Sequence, residues 1–153
     1  MANTFTQIHI QTVFAVQNRK CLIHDSWKTE LYKYITGIIQ NHRHKLLQIN
    51  GMPDHLHVLF GMRPNQSLSD LMRIVKGESS EWINKKGFLH SKFSWQQGYG
   101  VFSYSKSQIP NVIRYIKNQE EQHKKRTFID EYLDLLKEFQ IDYNDCYVFR
   151  SVM

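Results

Sequence analysis

Two histidines stand two residues apart in a stretch that otherwise resembles an apolar strand. His55 and His57 lie in the run PDHLHVLF (residues 53–60), among leucine, valine and phenylalanine. Because side chains alternate faces along a strand, both imidazoles point to the same face of a sheet. Two interpretations are open. The pair either binds a metal ion or consists of two core histidines whose nitrogens are satisfied by hydrogen bonds.

A tyrosine and a glutamine share one face of a predicted helix. The segment IPNVIRYIKNQEEQHKK (109–125) carries Tyr115 and Gln119, four residues apart, beside an apolar stripe. On a continuous helix these two side chains lie one above the other and stay close to the rest of the domain. A phenol can serve as a nucleophile, and an amide oxygen can bind a metal ion. The packing of an ordinary amphipathic helix explains the pair as well.

The composition is that of a basic globular protein. The chain has 153 residues, of which 41% are hydrophobic and 22% charged, and we expect one domain spanning residues 1–153. No signal peptide and no apolar run of about 20 residues is visible, which predicts a cytoplasmic protein that does not enter a membrane. Cys21 and Cys146 show no metal-binding spacing and are predicted to be reduced thiols.

Positive charge is concentrated in the middle of the chain. The whole chain has 20 Lys and Arg against 14 Asp and Glu, and from residue 130 onwards acidic residues prevail, Glu131 and Asp145 among them. Basic residues interleaved with aromatic ones are typical of a surface that binds nucleic acid, although a solvated basic face is the alternative. The candidate DNA-binding residues are Arg73, Lys76, Lys85, Lys86, Lys106, Arg114 and Lys117.

The hydrophobic patterns predict the order strand, helix, strand, strand, helix, strand, followed by two more helices. That order is the ferredoxin-like or RRM-like split βαβ arrangement, an α+β fold with a four-stranded antiparallel sheet and two packing helices on one face. We expect the other face to stay free, as in RNA-recognition domains. The first predicted elements are a strand at 5–16, a helix capped by Asp25 or Ser26, and a hairpin of 46–49 and 55–62 that turns at Asn50-Gly51 and Pro53. They are followed by a helix capped by Ser67, a loop at 84–98 and a strand at 100–105. Helices at 109–125 and after Thr127 complete the order.

Three motifs together resemble those of the HUH single-tyrosine transposases, which comprise the insertion sequence 200/605-type transposases and the REP-associated tyrosine transposases. The motifs are PDHLHVLF, WQQGYGVFSYS (95–105) and YIKNQEEQH (115–123), and they occur in the family's order. Arg19 and Lys20 also suit the pattern. The resemblance extends over residues 6–149, nearly the whole chain.

The resemblance implies a function and a set of site residues. Tyr115 would be the catalytic nucleophile, and His55, His57 and Gln119 would bind Mg²⁺ or Mn²⁺. The protein would be a transposase that cuts and rejoins single-stranded DNA through a 5′-phosphotyrosine, at element ends marked by hairpins. It would act as a homodimer with shared active sites, and the C-terminal helices would carry the catalytic tyrosine.

Neighbouring polar residues receive lesser roles. Asp54 would either orient a histidine or serve the turn after Pro53. His9 is interpreted as a core or surface residue, and His123 as a solvated one.

Three alternatives stay open. The first is a nucleic-acid-binding module without activity, the second is a metal-dependent phosphodiesterase that uses water while Tyr115 is structural, and the third is a domesticated endonuclease that no longer moves an element. A covalent protein–DNA adduct would exclude the first two.

Overall fold

The computed structural model describes residues 4–143, and a four-stranded antiparallel sheet lies at its centre, in which the strand at 45–52 is followed in space by those at 55–61, 9–15 and 100–104. This order and the α+β class confirm the predicted split βαβ fold. Cys21 is an exposed free cysteine, whereas Cys146 and Asp145 lie outside the described residues. The elements are β1 (His9–Ala15), α1 (Asp25–Asn41), β2 (Lys45–Met52), β3 (His55–Gly61), α2 (Leu68–Lys86), β4 (Gly100–Tyr104), α3 (Ile109–Lys117), α4 (Gln119–Lys125) and α5 (Phe128–Glu138).

Helices α1 and α2 cover one face of the sheet. Alternate residues of β3, namely Leu56, Val58 and Phe60, are buried there in one apolar cluster with the inward stripes of both helices. The Ser67 hydroxyl accepts a hydrogen bond from the Asp70 amide at 3.1 Å, which confirms the predicted cap of α2. Within residues 4–143, no helix has the length and apolar character that crossing a membrane requires.

The start of α1 differs from the prediction. The N-cap residue is His24, in an extended conformation and without a side-chain capping bond, so that Asp25 is already the first helical residue. Neither Asp25 nor Ser26 therefore caps the helix. An acidic residue in the first turn still interacts favourably with the positive end of the helix dipole.

The second face of the sheet is also covered, so the prediction of a free face was wrong. Helix α3 packs Val112 and Ile116 against Leu59. Helix α5 packs its apolar stripe against Val13, Ala15 and Phe102. Both helices carry stripes that must be buried, and this face of the sheet offers the apolar side chains that bury them. Nucleic-acid bases therefore cannot stack on this face while the helices lie on it.

The β2–β3 hairpin turns later than the sequence indicates. Met52 pairs with His55, so the turn consists of Pro53 and Asp54 alone. Asn50 pairs with His57 inside the ladder, although Asn-Gly is a common turn sequence. Gly51 has a different reason to be glycine, since a Cβ atom at this position would collide with the backbone of His55.

The predicted helix over 109–125 is interrupted. Helix α3 ends at Lys117, Asn118 has φ −97° and ψ 29°, and α4 begins at Gln119. The Asn50 side chain stabilises the end of α3, because its Nδ2 donates to the carbonyl oxygens of Ile116 at 3.0 Å and Lys117 at 3.1 Å. Tyr115 and Gln119 therefore lie on two consecutive helices, to either side of this break.

Candidate active site

The two histidines lie side by side on the face of β3 that α3, α4 and α5 cover. Their ring centroids are 5.1 Å apart and both side chains are fully buried. His55 Nδ1 lies 2.8 Å from Asp54 Oδ1, and His57 Nδ1 lies 2.7 Å from Gln11 Oε1. Both Nδ1 atoms are thus hydrogen-bonded within the chain, and the two Nε2 atoms face a common space. Of the two roles considered for Asp54, the structure shows the contact with a histidine as well as the turn position.

Burial determines the charge of His55. Removal from water lowers its pKa below the ordinary value, although the hydrogen bond with Asp54 acts in the opposite direction. A neutral imidazole is the form of histidine that binds a metal ion.

A carboxylate that the sequence analysis did not select completes the cluster. Glu131 on α5 is fully buried, and its Oε1 lies 3.1 Å from His57 Nε2 and 3.8 Å from His55 Nε2. Burial acts to raise the pKa of Glu131, but the imidazoles of His123 and His57 outweigh it and hold this pKa far below the ordinary value. Glu131 is therefore an ionised acid inside the protein. His123 Nε2 lies 3.7 Å from the same carboxylate oxygen, so the interpretation of His123 as a solvated residue was wrong.

The sequence contained a signal for Glu131. Phe128, Tyr132 and Leu136 are the buried apolar residues of α5, and Glu131 stands on the same stripe, three residues after the first of them. A carboxylate in the buried stripe of an amphipathic helix needs a partner, because burying a charge alone is costly. Because Glu131 stands among other acidic residues in the sequence, its place on the apolar stripe is easily missed.

Gln119 and Tyr115 reach the same cluster from the break between α3 and α4. Gln119 is fully buried, and its Oε1 lies 3.3 Å from His55 Nε2. The Tyr115 ring stands edge-on to His57 with 5.8 Å between the ring centroids, and its hydroxyl is buried without a hydrogen bond to the described residues. Burial, followed by the negative charge of Glu131, raises the pKa of Tyr115 far above the ordinary value, so the phenol is neutral.

The donor set fits a divalent metal ion. His55, His57 and Glu131 each offer one ligand atom, and these three atoms lie within 4.8 Å of one another. Bonds of about 2.0–2.2 Å to a shared ion are compatible with the separations of 3.1 and 3.8 Å between Glu131 Oε1 and the Nε2 atoms of His57 and His55. Glu131 Oε2 is buried and has no hydrogen-bond partner among residues 4–143, as expected of an atom that an ion would satisfy. With Gln119 Oε1 added, the set comprises two nitrogens and two oxygens, a mixed set in which the two imidazoles favour Mn²⁺ or a later divalent metal over Mg²⁺.

Helix α5 lies over one side of the cluster, and a cavity opens beside it. The Phe128 ring stacks on the His55 ring with 3.9 Å between centroids. Between α3 and α5 a cavity of about 340 Å³ reaches Tyr115 and Glu131, with Arg126 also in its lining. The guanidinium of Arg126 is paired with Asp134 at this site. A small group can therefore approach Tyr115 from the side of the cavity, whose lining also includes Asp134 and Glu138.

The candidate DNA-binding residues fall on two opposite sides of the sheet. Four lie on α2, on the side away from the histidines. Arg73 pairs with Asp70, and Lys85 pairs with Glu81. Lys86 lies over the Trp82 ring, and Lys76 donates to the carbonyl oxygens of Gln96 and Gly98. The other three, Lys106, Arg114 and Lys117, are exposed on α3 and the short turn before it. Only these three are near the tyrosine in the chain and on its side of the sheet.

Comparison with protein families gives a match over most of the chain. Residues 4–119 match the model of the family described as "Transposase IS200 like". Two curated proteins are similar at the sequence level. The transposase for insertion sequence element IS200 of Salmonella typhimurium is 26% identical over 129 residues, which cover 81% of this chain and 84% of that protein. The ISDra2 transposase TnpA of Deinococcus radiodurans is 21% identical over 118 residues, covering 74% and 84%.

Two solved structures share the fold. One is a crystal structure from Deinococcus radiodurans R1 of a protein described as a transposase, with a TM-score of 0.64 and 21% identity over 78% of this chain and 95% of that one. The other is a REP-associated tyrosine transposase bound to a REP hairpin, with a TM-score of 0.60 and 13% identity over 80% of this chain and 73% of that one. At these identities the likeness concerns the fold.

Proposed function

Because the chain belongs to the IS200-like transposase family, we propose that it is a metal-dependent transposase that cuts and rejoins single-stranded DNA with Tyr115 as the nucleophile. The observation that carries this proposal is the convergence of four side chains from separate elements. His55 and His57 on β3, Gln119 on α4 and Glu131 on α5 surround one point, and the Tyr115 ring stands beside it.

The residues proposed to hold the metal ion are His55, His57 and Gln119, joined by Glu131. Mg²⁺ or Mn²⁺ at this position would withdraw charge from a DNA phosphate and fix its orientation toward the nucleophile. The chain's own contribution is to hold the two Nε2 atoms in place through Asp54 and Gln11, and to keep bulk water away from the cluster.

Tyr115 would conserve the energy of the cut bond. In the proposed step the Tyr115 oxygen bonds to phosphorus, the bond between phosphorus and O3′ breaks, the phenol loses its proton, and the O3′ leaving group takes one up. The products are a 5′-phosphotyrosine and a free 3′-OH, and the reverse reaction with another 3′-OH joins two strands without an external energy source. The buried, neutral phenol described above is inactive until a proton acceptor and a phosphate reach it.

Single-stranded DNA that carries hairpins is the proposed substrate. The family match and the hairpin present in the REP-associated relative's structure support it. We assign phosphate contacts first to Lys106, Arg114 and Lys117, since these exposed cations lie on the side of the tyrosine. The four basic residues of α2 would contact only DNA that wraps around the sheet.

We also propose a homodimer with shared sites. Excision of an element needs two cut ends, and each chain offers one Tyr115, so two sites must act together. Within the described residues, the Tyr115 ring stands edge-on to the His57 ring of the same chain, so this site has the cis form. Exchange of α3 between two chains would build the same site from His55 and His57 of one chain and Tyr115 of the other.

The test is strand cleavage by a Tyr115→Phe variant on single-stranded DNA with a hairpin. We expect no cleavage and no covalent adduct, with hairpin binding nearly unchanged, because only the phenol oxygen is lost. Tyr34→Phe is the matched control, since Tyr34 stacks on Trp82 on the opposite side of the sheet. Cleavage without an adduct in the natural chain would favour the phosphodiesterase, and an adduct mapped to another tyrosine would refute the assignment.

A further inference from the structure

A buried glutamine in the centre of the sheet contacts one of the two histidines. Gln11 lies on β1 and is fully buried. The strand register sets it diagonally across from His57, which pairs with Val13, and from Tyr104, which pairs with His9. A buried amide is costly unless both its oxygen and its nitrogen are hydrogen-bonded. Packing alone therefore does not account for a glutamine at this position.

The two polar atoms of Gln11 make two directed hydrogen bonds. Its Oε1 lies 2.7 Å from His57 Nδ1, and its Nε2 donates to the Tyr104 hydroxyl at 2.6 Å. An amide oxygen can only accept, so the proton of this bond belongs to His57 Nδ1. The other ring nitrogen, Nε2, is then the one that can offer a lone pair to an ion, and it faces Glu131 Oε1 at 3.1 Å.

The opposite orientation of the amide would block the site. If the NH₂ group of Gln11 faced His57, Nδ1 would have to accept and the ring proton would move to Nε2, which could no longer bind an ion. In the observed orientation the Tyr104 hydroxyl accepts from the amide nitrogen on the side away from the histidine, so both polar atoms of the Gln11 side chain are satisfied.

We propose that Gln11 is a positioning residue that holds His57 in its metal-binding tautomer, and that the hydrogen bond to Tyr104 keeps the Gln11 side chain within reach of His57. The inference rests on the metal site of the proposed function. Under this proposal the two histidines are supported differently, His55 by the Asp54 carboxylate and His57 by the neutral Gln11 amide.

The experiment measures Mn²⁺ binding to the DNA-free protein by titration calorimetry. Gln11→Met keeps the volume and removes the acceptor, and we expect Mn²⁺ affinity to fall by roughly 10- to 100-fold, the usual effect of losing such a support. Gln11→Glu keeps an acceptor for His57, and the Tyr104 hydroxyl can rotate to donate to it, so affinity should return close to that of the natural chain. Tyr104→Phe should give a smaller loss.

Thr12→Val is the matched control. Thr12 is the next residue of β1, is buried, and makes one hydrogen bond to the Gly100 carbonyl on the other side of the strand. Its loss should leave Mn²⁺ affinity unchanged while destabilising the same strand. Unfolding curves in EDTA establish that each variant is folded.

The outcomes separate this inference from the metal site itself. If His57→Ala abolishes Mn²⁺ binding but Gln11→Met and Tyr104→Phe bind as the natural chain does, the role of Gln11 is refuted and the site stands. If His57→Ala binds Mn²⁺ as well as the natural chain, the metal site and this inference both fail. A loss in Gln11→Met that Gln11→Glu does not restore would indicate a packing role and would also overturn it.

Discussion

Asn50 connects the edge of the sheet to the helix that carries the tyrosine, and its removal should affect cleavage more than stability. In Asn50→Ala the carbonyl oxygens of Ile116 and Lys117 lose the donor that now lies at 3.0 and 3.1 Å. Two hydrogen bonds, one of them exposed to solvent, contribute together about 1–2 kcal/mol to the free energy of unfolding. For a chain of this size we expect the melting midpoint to fall by about 2–8 °C.

The effect of Asn50→Ala on cleavage should be larger. The end of α3 lies between Tyr115 and Gln119, and a displacement of about 1 Å at a reacting group costs on the order of 10²-fold in rate. We expect a loss of that order in single-turnover cleavage of hairpin DNA, measured at a temperature where the variant is folded.

Asn84 supplies the control for this prediction. Its side chain also makes two hydrogen bonds, both with the backbone of Phe93, on the side of the sheet away from the histidines. Asn84→Ala should lose similar stability and cleave at the natural rate. Equal losses of cleavage in the two variants, or an unchanged rate in Asn50→Ala, would refute the claim that Asn50 positions the tyrosine.

Other predictions concern the metal, the dimer and the hairpin turn. EDTA should abolish cleavage and Mg²⁺ or Mn²⁺ should restore it, whereas His55→Ala should stay inactive after metal is added back. Cleavage by His55→Ala at the natural rate would mean that the histidines are core residues without a role in metal binding. Gln119→Ala should lose less activity than His55→Ala, since water can replace a neutral oxygen ligand, as rate constants at saturating Mn²⁺ will show. Mixing His55→Ala with Tyr115→Phe should restore cleavage if sites are shared, and no recovery in a mixture proven to exchange subunits would establish the cis form. Gly51→Ala should be poorly folded by circular dichroism, because its Cβ collides with the His55 backbone.

The regular parts of the fold could be predicted because each follows from local patterning. The stripe of α2 and its Ser67 cap, the alternation in β3 and the order of the elements are all readable from residue types. The same alternation placed His55 and His57 on one face. A resemblance to a family then linked them to Tyr115 and Gln119, which the structure brings to the same cluster.

The parts that could not be predicted depend on contacts between distant segments. Asn50-Gly51 is typical of a turn, yet Asn50 stays in the strand because its amide bonds the end of α3, 66 residues away. The break at Asn118 is likewise invisible in the helical pattern. Glu131 belongs to a run of acids, and only the position of α5 on the sheet reveals that it faces two imidazoles.

Burial of the site inside a second core places activity and stability in opposition. Gln11, His57, Gln119 and Glu131 are polar groups enclosed by packed apolar side chains, and burying such groups is costly wherever they lack a partner. Replacing such a buried polar group and its partners with apolar residues of the same volume is often neutral or stabilising. A lineage released from selection for cleavage should therefore exchange these side chains for leucine or methionine and keep the sheet intact. Among related chains, the polarity of this enclosed cluster would distinguish those still able to cut DNA from those that retain only the scaffold.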